Sequence, residues 1–232
     1  MTDFALFDRR HYRTVSPREG YRAWARTYEN TVEDVMDLAL LGRIESVQWT
    51  SIRRAADLGC GTGRTAAWLA SVGVARIDGV DVTAEMLERA RQRGLHLSLR
   101  LADVRDTGLG GGCYDLVVVS LVDEHLPTLS ELYQEARRLL TSDGAFVLVG
   151  FHPFFIMASG MPTHFESDDG DPVAIETHIH LPSRHVAAAR SAGLVAHELH
   201  ERVIDDEWIE RKPRWEPYRG WPVSFAWVWR AA

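Results

Sequence analysis

From residue 54 onward, short β-branched and apolar runs alternate with stretches of helical period. The runs predict five strands: residues 54–58, 76–81, 98–103, 114–121 and 145–151. The segment Asp115-Leu-Val-Val-Val-Ser120 is so continuously apolar that it reads as a central strand buried on both faces. Between the strands, Ala66, Ala67, Leu69 and Ala70 mark one helix, Thr83 caps a second that runs to Arg93, and residues 129–140 form a third. Ser142-Asp143-Gly144 then predicts a turn into the fifth strand. Strand, helix and strand in steady succession predict a doubly wound α/β sheet with helices on both faces.

The rhythm breaks at residue 152. Pro153, Pro162, Pro172 and Pro182 punctuate the next stretch, and Ser167-Asp168-Asp169-Gly170-Asp171 reads as the turn of an inserted hairpin. A helix over 183–192, a strand over 194–203, a Trp-rich loop and a closing strand over 224–229 follow. Residues 11–48 read as helical. The division expected is one domain over 1–232: a helical cap (1–50), a ligand-binding half (51–151), the insert (152–182) and the C-terminal half of the sheet (183–232).

Charge and composition narrow the chemistry. With 26 Lys and Arg against 33 Asp and Glu, the net charge of −7 offers no attractive field to a phosphate backbone, so nucleic acid is not an expected partner. Lys212 is the only lysine; no Gly-Lys-Ser/Thr loop exists for nucleotide triphosphates, and Schiff-base chemistry would rest on that one charged, Pro-flanked residue. Cys60 and Cys113 form neither a CxxC nor a disulfide framework, which points to a reducing compartment. With early charges at Asp3, Asp8, Arg9 and Arg10 and no long apolar run, neither a signal peptide nor a membrane span is expected, and the protein reads as cytoplasmic.

The candidate chemistry gathers at strand ends. Asp57-Leu-Gly59-Cys60-Gly61-Thr-Gly63-Arg64 sits at the first strand-to-helix turn, where alternate glycines let the backbone approach a ligand and helix amides point at it. A dinucleotide fingerprint needs glycine where Arg64 stands; GxGxG suits a nucleoside without phosphates. Taken alone, this spacing also fits a merely tight turn. Asp81 ends the second strand, where a carboxylate can accept both ribose hydroxyls. Asp103 ends the third, where it can accept from a purine amine, and Ser120 ends the fourth. Four successive strands thus deliver Gly, Asp, Asp and Ser to the edge at which open α/β sheets bind ligands.

These residues resemble the class I S-adenosylmethionine-dependent methyltransferases, in particular the small-molecule group called type 11. The resemblance runs from about residue 21 to 151 and implies a Rossmann-like seven-stranded methyltransferase sheet with an N-terminal helical cap and a hairpin insert after the fifth strand. It also implies S-adenosyl-L-methionine as cofactor, with Asp57, Gly59, Cys60, Gly61 and Gly63 around the methionine moiety, Asp81 and Val82 at the ribose, Asp103 and Val104 at the adenine, and Ser120 near the methionine amine. Tyr21 and Tyr28 lie in a stretch like the aromatic helix that folds over the cofactor. Many relatives carry paired histidines after the fourth strand where this chain keeps only His125, and the box typical of nucleobase methylation is missing.

The expected activity is in-line methyl transfer to a small-molecule acceptor, with His125 and His152 as candidate catalytic residues and no metal. A binding protein without transfer activity, serving as a regulator or partner subunit, is the alternative. His178 and His180 read as edge-strand histidines between the core-facing Ile179 and Leu181, although with His164 across the hairpin they would also suit a metal. Phe225, Trp227 and Trp229 alternate along the closing strand toward the core. Trp208, Trp215 and Tyr218 belong to no periodic element and are expected either to wall an acceptor pocket or to make a homodimer contact.

Overall fold

The computed structural model describes residues 3–32 and 36–232. In chain order the elements are β1 (Arg13–Val15), α1 (Pro17–Trp24), α2 (Tyr28–Thr31), α3 (Leu38–Leu41), β2 (Ala55–Leu58), α4 (Arg64–Ser71), β3 (Ile77–Asp81), α5 (Ala84–Arg93), β4 (Ser98–Leu101) and β5 (Tyr114–Ser120). There follow α6 (Ser130–Leu139), β6 (Leu140–Phe151), α7 (Pro153–Ser159), β7 (His164–Glu166), β8 (Pro172–Ile175), α8 (Pro182–Ser191), β9 (Leu194–Val203), α9 (Asp206–Arg211) and β10 (Pro222–Ala231).

Seven strands form one sheet in the order β4-β3-β2-β5-β6-β10-β9. The first five pair in parallel, and β10 runs antiparallel between β6 and β9. The expected Rossmann-like architecture is therefore observed. Burial on both faces explains why the central strands read as unbroken apolar runs: Leu116, Val117, Val118 and Val119 are all fully buried. On one face Val117 and Val119 pack with Leu132, Tyr133 and Ala136 of α6; on the other, Leu116 and Val118 pack with Leu40, Leu41 and Leu69.

Three local expectations change. The turn at Ser142-Asp143-Gly144 lies within β6: Tyr114 faces Leu140 and Leu116 faces Ala145, so the residues between loop out of register without ending the strand. Thr83 is the N-cap residue of α5, but its side chain makes no capping hydrogen bond; its backbone N–H donates to Asp81 Oδ1 at 2.8 Å instead. The N-terminal segment is not wholly helical, and residues 33–35 of that stretch lie outside the described residues. Its strand β1 pairs in parallel with β8, and β8 pairs antiparallel with β7, giving a separate three-stranded sheet. The hairpin turn over 167–171 forms as expected, closed by Ser167 N–H to Asp171 O at 2.8 Å. Helix α7 precedes this hairpin and was not foreseen.

The C-terminal aromatics divide between two cores. Phe225 and Trp229 are buried beside Tyr133, with Trp227 packed against them. Trp208 is 1% exposed on the short helix α9, and Trp215 stacks on Phe155 of α7 with ring centroids 5.1 Å apart. Tyr218 meets the same Phe155 edge-on at 5.3 Å. Helix α7 thus accounts for rings that had no periodic partner in the sequence.

Candidate functional site

The carboxyl ends of β2, β3, β4 and β5 open into a cavity of about 370 Å³, which lies within the roughly 300–1,000 Å³ typical of small-molecule sites. Its floor is the β2–α4 turn. Gly59 has φ 71°, and a Cβ there would lie against the Val122 side chain; Gly61 has φ 52°. Both backbone conformations favour glycine, so the turn reaches the cavity as bare peptide.

Asp81 stands at the centre of this edge and is 8% exposed. Its Oδ2 accepts from Gly61 N–H at 2.9 Å and its Oδ1 from Thr83 N–H at 2.8 Å. Each oxygen keeps a further lone pair, so the carboxylate can accept from two vicinal hydroxyls. Burial pushes the Asp81 carboxyl above its ordinary range, against the lowering effect of the two backbone donors. Beyond it, Val82, Thr83 and Met86 line one wall, and Asp103, Val104 and Arg105 the end wall. Asp103 lies in the turn after β4, its carboxylate gripped by the Arg105 guanidinium at 2.7 and 2.9 Å, which holds the carboxyl below its usual range.

The opposite end is built from parts distant in sequence. Tyr21 and Arg18 come from α1, Leu121 and Val122 from the exit of β5, His125 from the 3-10 turn Asp123–His125, and Glu176 and His178 from the segment after β8. Leu121 is held at φ 56°, in the left-handed region that a γ-branched side chain rarely adopts, with its N–H on Val149 O at 2.8 Å. Tyr21 Oη lies 2.9 Å from His125 Nε2, and His125 Nδ1 lies 2.8 Å from the carbonyl oxygen of Glu176.

Of the residues singled out in sequence, Tyr21, Tyr28, Gly59, Gly61, Asp81, Val82, Asp103, Val104, Ser120 and His125 line this cavity. His178 lines it as well, and the structure sets Asp57, Cys60 and Gly63 behind it. Asp57 is buried with one oxygen 3.6 Å from His96. The Cys60 N–H donates to Val80 O at 2.9 Å, and burial pushes its thiol up. Gly63 is the left-handed N-cap of α4, packed against Arg93. Ser120 lines the wall, but its hydroxyl lies 3.4 Å from Asp37 Oδ2. Arg64, at the position where a dinucleotide site needs glycine, forms a buried bidentate pair with that same Asp37 at 3.0 and 3.2 Å.

His152 is a correction. Its Nδ1 accepts from Phe154 N–H at 3.1 Å as the cap of α7, which leaves its Nε2–H for Glu201 at 3.0 Å. It belongs to a separate small cleft with His180, His185 and Phe225. The edge-strand reading of the other histidines also changes. No regular strand extends over 176–181: His180 is buried with Nε2 on Leu126 O at 2.8 Å, Ile179 is buried, and Leu181 is 37% exposed at the start of α8. Among the described residues no group of three or more His, Cys, Asp or Glu is arranged to hold a metal ion. Trp208, Trp215 and Tyr218 do not reach the cavity wall and so do not form the apolar acceptor wall.

Sequence reasoning missed Ser16, Pro17, Arg18, Thr83, Met86 and Glu176, all of which line the cavity. Thr83 and Met86 were legible in principle, as residues one turn past the carboxylate that ends β3. The others reach the site through the β1–β8 pairing and the packing of α1 on α5 and β8, long-range contacts that have no local signature.

Residues 56–148 match the family model described as "Methyltransferase domain". A malonyl-[acyl-carrier protein] O-methyltransferase of Geobacter sulfurreducens is 32% identical over 152 residues, which cover 63% of this chain and 55% of that protein. The methyltransferase GfsG of Streptomyces halstedii is 32% identical over 100 residues, covering 40% of this chain and 35% of that protein. The chain thus spans about half, or less, of the length of these relatives. Among solved structures, the CcbJ methyltransferase from Streptomyces caelestis superposes with a TM-score of 0.66 at 20% identity, covering 92% of this chain and 98% of that one. An S-adenosylmethionine-dependent methyltransferase from Mesorhizobium loti gives 0.65 at 21% identity, covering 83% and 96%. At these identities the structural likeness speaks for the fold.

Proposed function

Because the chain carries the domain of the class I S-adenosylmethionine-dependent methyltransferases, we propose that it transfers the methyl group of S-adenosylmethionine to a small-molecule acceptor. The observation that carries this reading is Asp81: a carboxylate with one lone pair on each oxygen left for the cavity, beside a glycine turn that a Cβ would obstruct. The residues present fit the cofactor. Asp81 would take the ribose hydroxyls, Asp103 the adenine amine with Val104 against the ring, and Gly59 and Gly61 the methionine end, under a lid of Tyr21 and Tyr28.

S-adenosylmethionine supplies a methyl group already activated on a sulfonium. The protein's own part is to hold the acceptor in line and to keep the cavity dry, and such positioning contributes on the order of 7–11 kcal/mol of barrier lowering. Acceptor contacts fall to the end built by Arg18, His125, Glu176 and His178. Both cysteines are free, which supports a reducing, cytoplasmic setting, and among the described residues no helix is long and apolar enough to cross a membrane.

Calorimetry with S-adenosylmethionine, S-adenosylhomocysteine and NAD tests the reading. The first two are expected to bind and NAD is not. In a folded Asp81→Ala protein the affinity for both sulfur nucleosides falls by about 1.5–3 kcal/mol, the range for hydrogen bonds to a charged group. Tighter binding of NAD than of S-adenosylhomocysteine would falsify the assignment.

A further inference from the structure

The hydrogen bonds around His125 determine where its proton lies. The Glu176 carbonyl oxygen, 2.8 Å from Nδ1, only accepts, so Nδ1 carries the hydrogen. A neutral imidazole has one N–H, which leaves Nε2 with a bare lone pair, and the Tyr21 hydroxyl 2.9 Å away donates into it. The Tyr21 oxygen in turn keeps its own lone pairs on a side chain that lines the cavity. Its environment is set for a relay and not for a standing tyrosinate: burial first, then the charges of Tyr28, Glu124 and Asp81, push the phenol well above its ordinary value. His125 is 8% exposed, with the Glu124 carboxyl 3.8 Å from Nε2 and the Glu176–His178 pair on the remaining side.

We propose that Tyr21 and His125 form a proton relay that serves an acceptor bearing a phenolic or enolic hydroxyl; this rests on the methyl-transfer reading above. The acceptor O–H gives its proton to Tyr21 Oη as the Tyr21 proton passes to His125 Nε2. The acceptor oxygen then uses the freed electron pair to bond the methyl carbon, while the carbon–sulfur pair stays on sulfur as the thioether product. The imidazolium left behind is held by the Glu176 carbonyl and the Glu124 carboxyl, and it returns its proton to water when the cavity opens. A carboxylate acceptor, already ionised, would have no use for such a pair.

The test uses the full chain saturated with S-adenosylhomocysteine. Nitrogen NMR of the imidazoles, with His125 assigned through His125→Gln, is expected to show Nδ1 protonated and Nε2 bare, with the Nε2 resonance moving in Tyr21→Phe. An Nε2–H tautomer overturns the proposal. The second probe is 4-nitrophenol, followed by the absorbance of its ionised form below its free pKa. Bound to the wild type it should be at least about tenfold more ionised than free in solution, and this gain should vanish in both Tyr21→Phe and His125→Gln. Failure to bind, binding with ordinary ionisation, or a gain that survives Tyr21→Phe each overturns the relay. Failure of the methyl-transfer reading registers separately, as a protein that does not bind S-adenosylhomocysteine before any phenol is added.

Discussion

Asp103 and Arg105, two residues apart in one turn, close a fork in which Nε and Nη2 of the arginine reach both carboxylate oxygens at 2.9 and 2.7 Å. The Arg105 N–H adds a third contact to Oδ1 at 2.8 Å. The carboxylate assigned to the adenine amine is therefore held rigid by its own neighbour before any ligand arrives. Asp103→Ala is expected to weaken S-adenosylhomocysteine binding by about 1.5–3 kcal/mol. Arg105→Ala should weaken it by less than about 1 kcal/mol, because the pair is more than one-third exposed and water screens it. Calorimetry separates these cases, and tighter binding in Arg105→Ala would show that the arginine competes with the ligand for Asp103.

Trp215 is expected to matter for stability and not for acceptor affinity. It stacks on Phe155 and leans on Trp208 and Tyr218, and it does not line the cavity. Truncating a core aromatic costs about 3–5 kcal/mol, and Trp215 is only partly buried, so Trp215→Ala should cost about 2–4 kcal/mol in denaturant melts. Cofactor affinity per folded molecule should not change. Light scattering on the same variant reports whether these rings also hold a homodimer together.

Glu198 ties the loop before the sheet to β9. Although its partial burial opposes ionisation, hydrogen bonds from the Ser46 hydroxyl, the Glu45 and Ser46 N–H groups and His200 lower its pKa to about 2. A folded-state value below the unfolded 4.5 means that its stabilisation is present above about pH 4.5 and is lost as the pH falls toward 2. Glu198→Gln should therefore cost about 1–3 kcal/mol at pH 7 and converge on the wild type near pH 2–3 in urea melts.

His185 acts in a neighbouring window. Burial, helped by the charge of His180, pushes its pKa down to about 3, and its Nδ1 lies 2.9 Å from the Tyr133 hydroxyl. Between pH 6.5 and 3 the unfolded chain binds a proton there that the folded chain refuses, so this group makes stability rise with pH. Asp123, 3.5 Å from His185 Nε2, works in the opposite sense, since burial and then Glu124 raise its carboxyl well above the ordinary range. The His185 contribution is isolated by comparing His185→Asn with wild type. The deficit of the variant should shrink by more than about 1 kcal/mol between pH 7 and pH 4; a constant deficit would show that His185 does not titrate on unfolding.

The middle of the sheet was legible because its central strands are buried on both faces, which writes β-branched runs such as 116–119 directly into the sequence. Asp81 was legible for the same reason, since it closes the buried run of β3, whereas Asp103, in the turn after the exposed edge strand β4, followed from the alternation of Leu99 and Leu101. Strand β1 was not: it is three residues with a single buried side chain, Val15, and its register partner for Arg13 is Val173, 160 positions on by 173 − 13. His152 misled for a related reason. A histidine just past a strand end looks catalytic until the helix it caps is seen, and α7 is too short to impose a period.

The β1–β8 pairing also has a consequence for synthesis. Residues 13–15 leave the ribosome long before residues 173–175, so the N-terminal strand must wait for most of the chain before its hydrogen-bonding edge is satisfied. The β2–β5 half of the sheet can form in that interval, and α1 can meet α5 and His125, but the contacts that α1 makes with β8 come only with the hairpin. A nascent chain arrested before β8 would hold the ribose carboxylate and the glycine turn in place yet lack Glu176 and His178 on the far wall, and it would bind the nucleoside in a cavity open on that side.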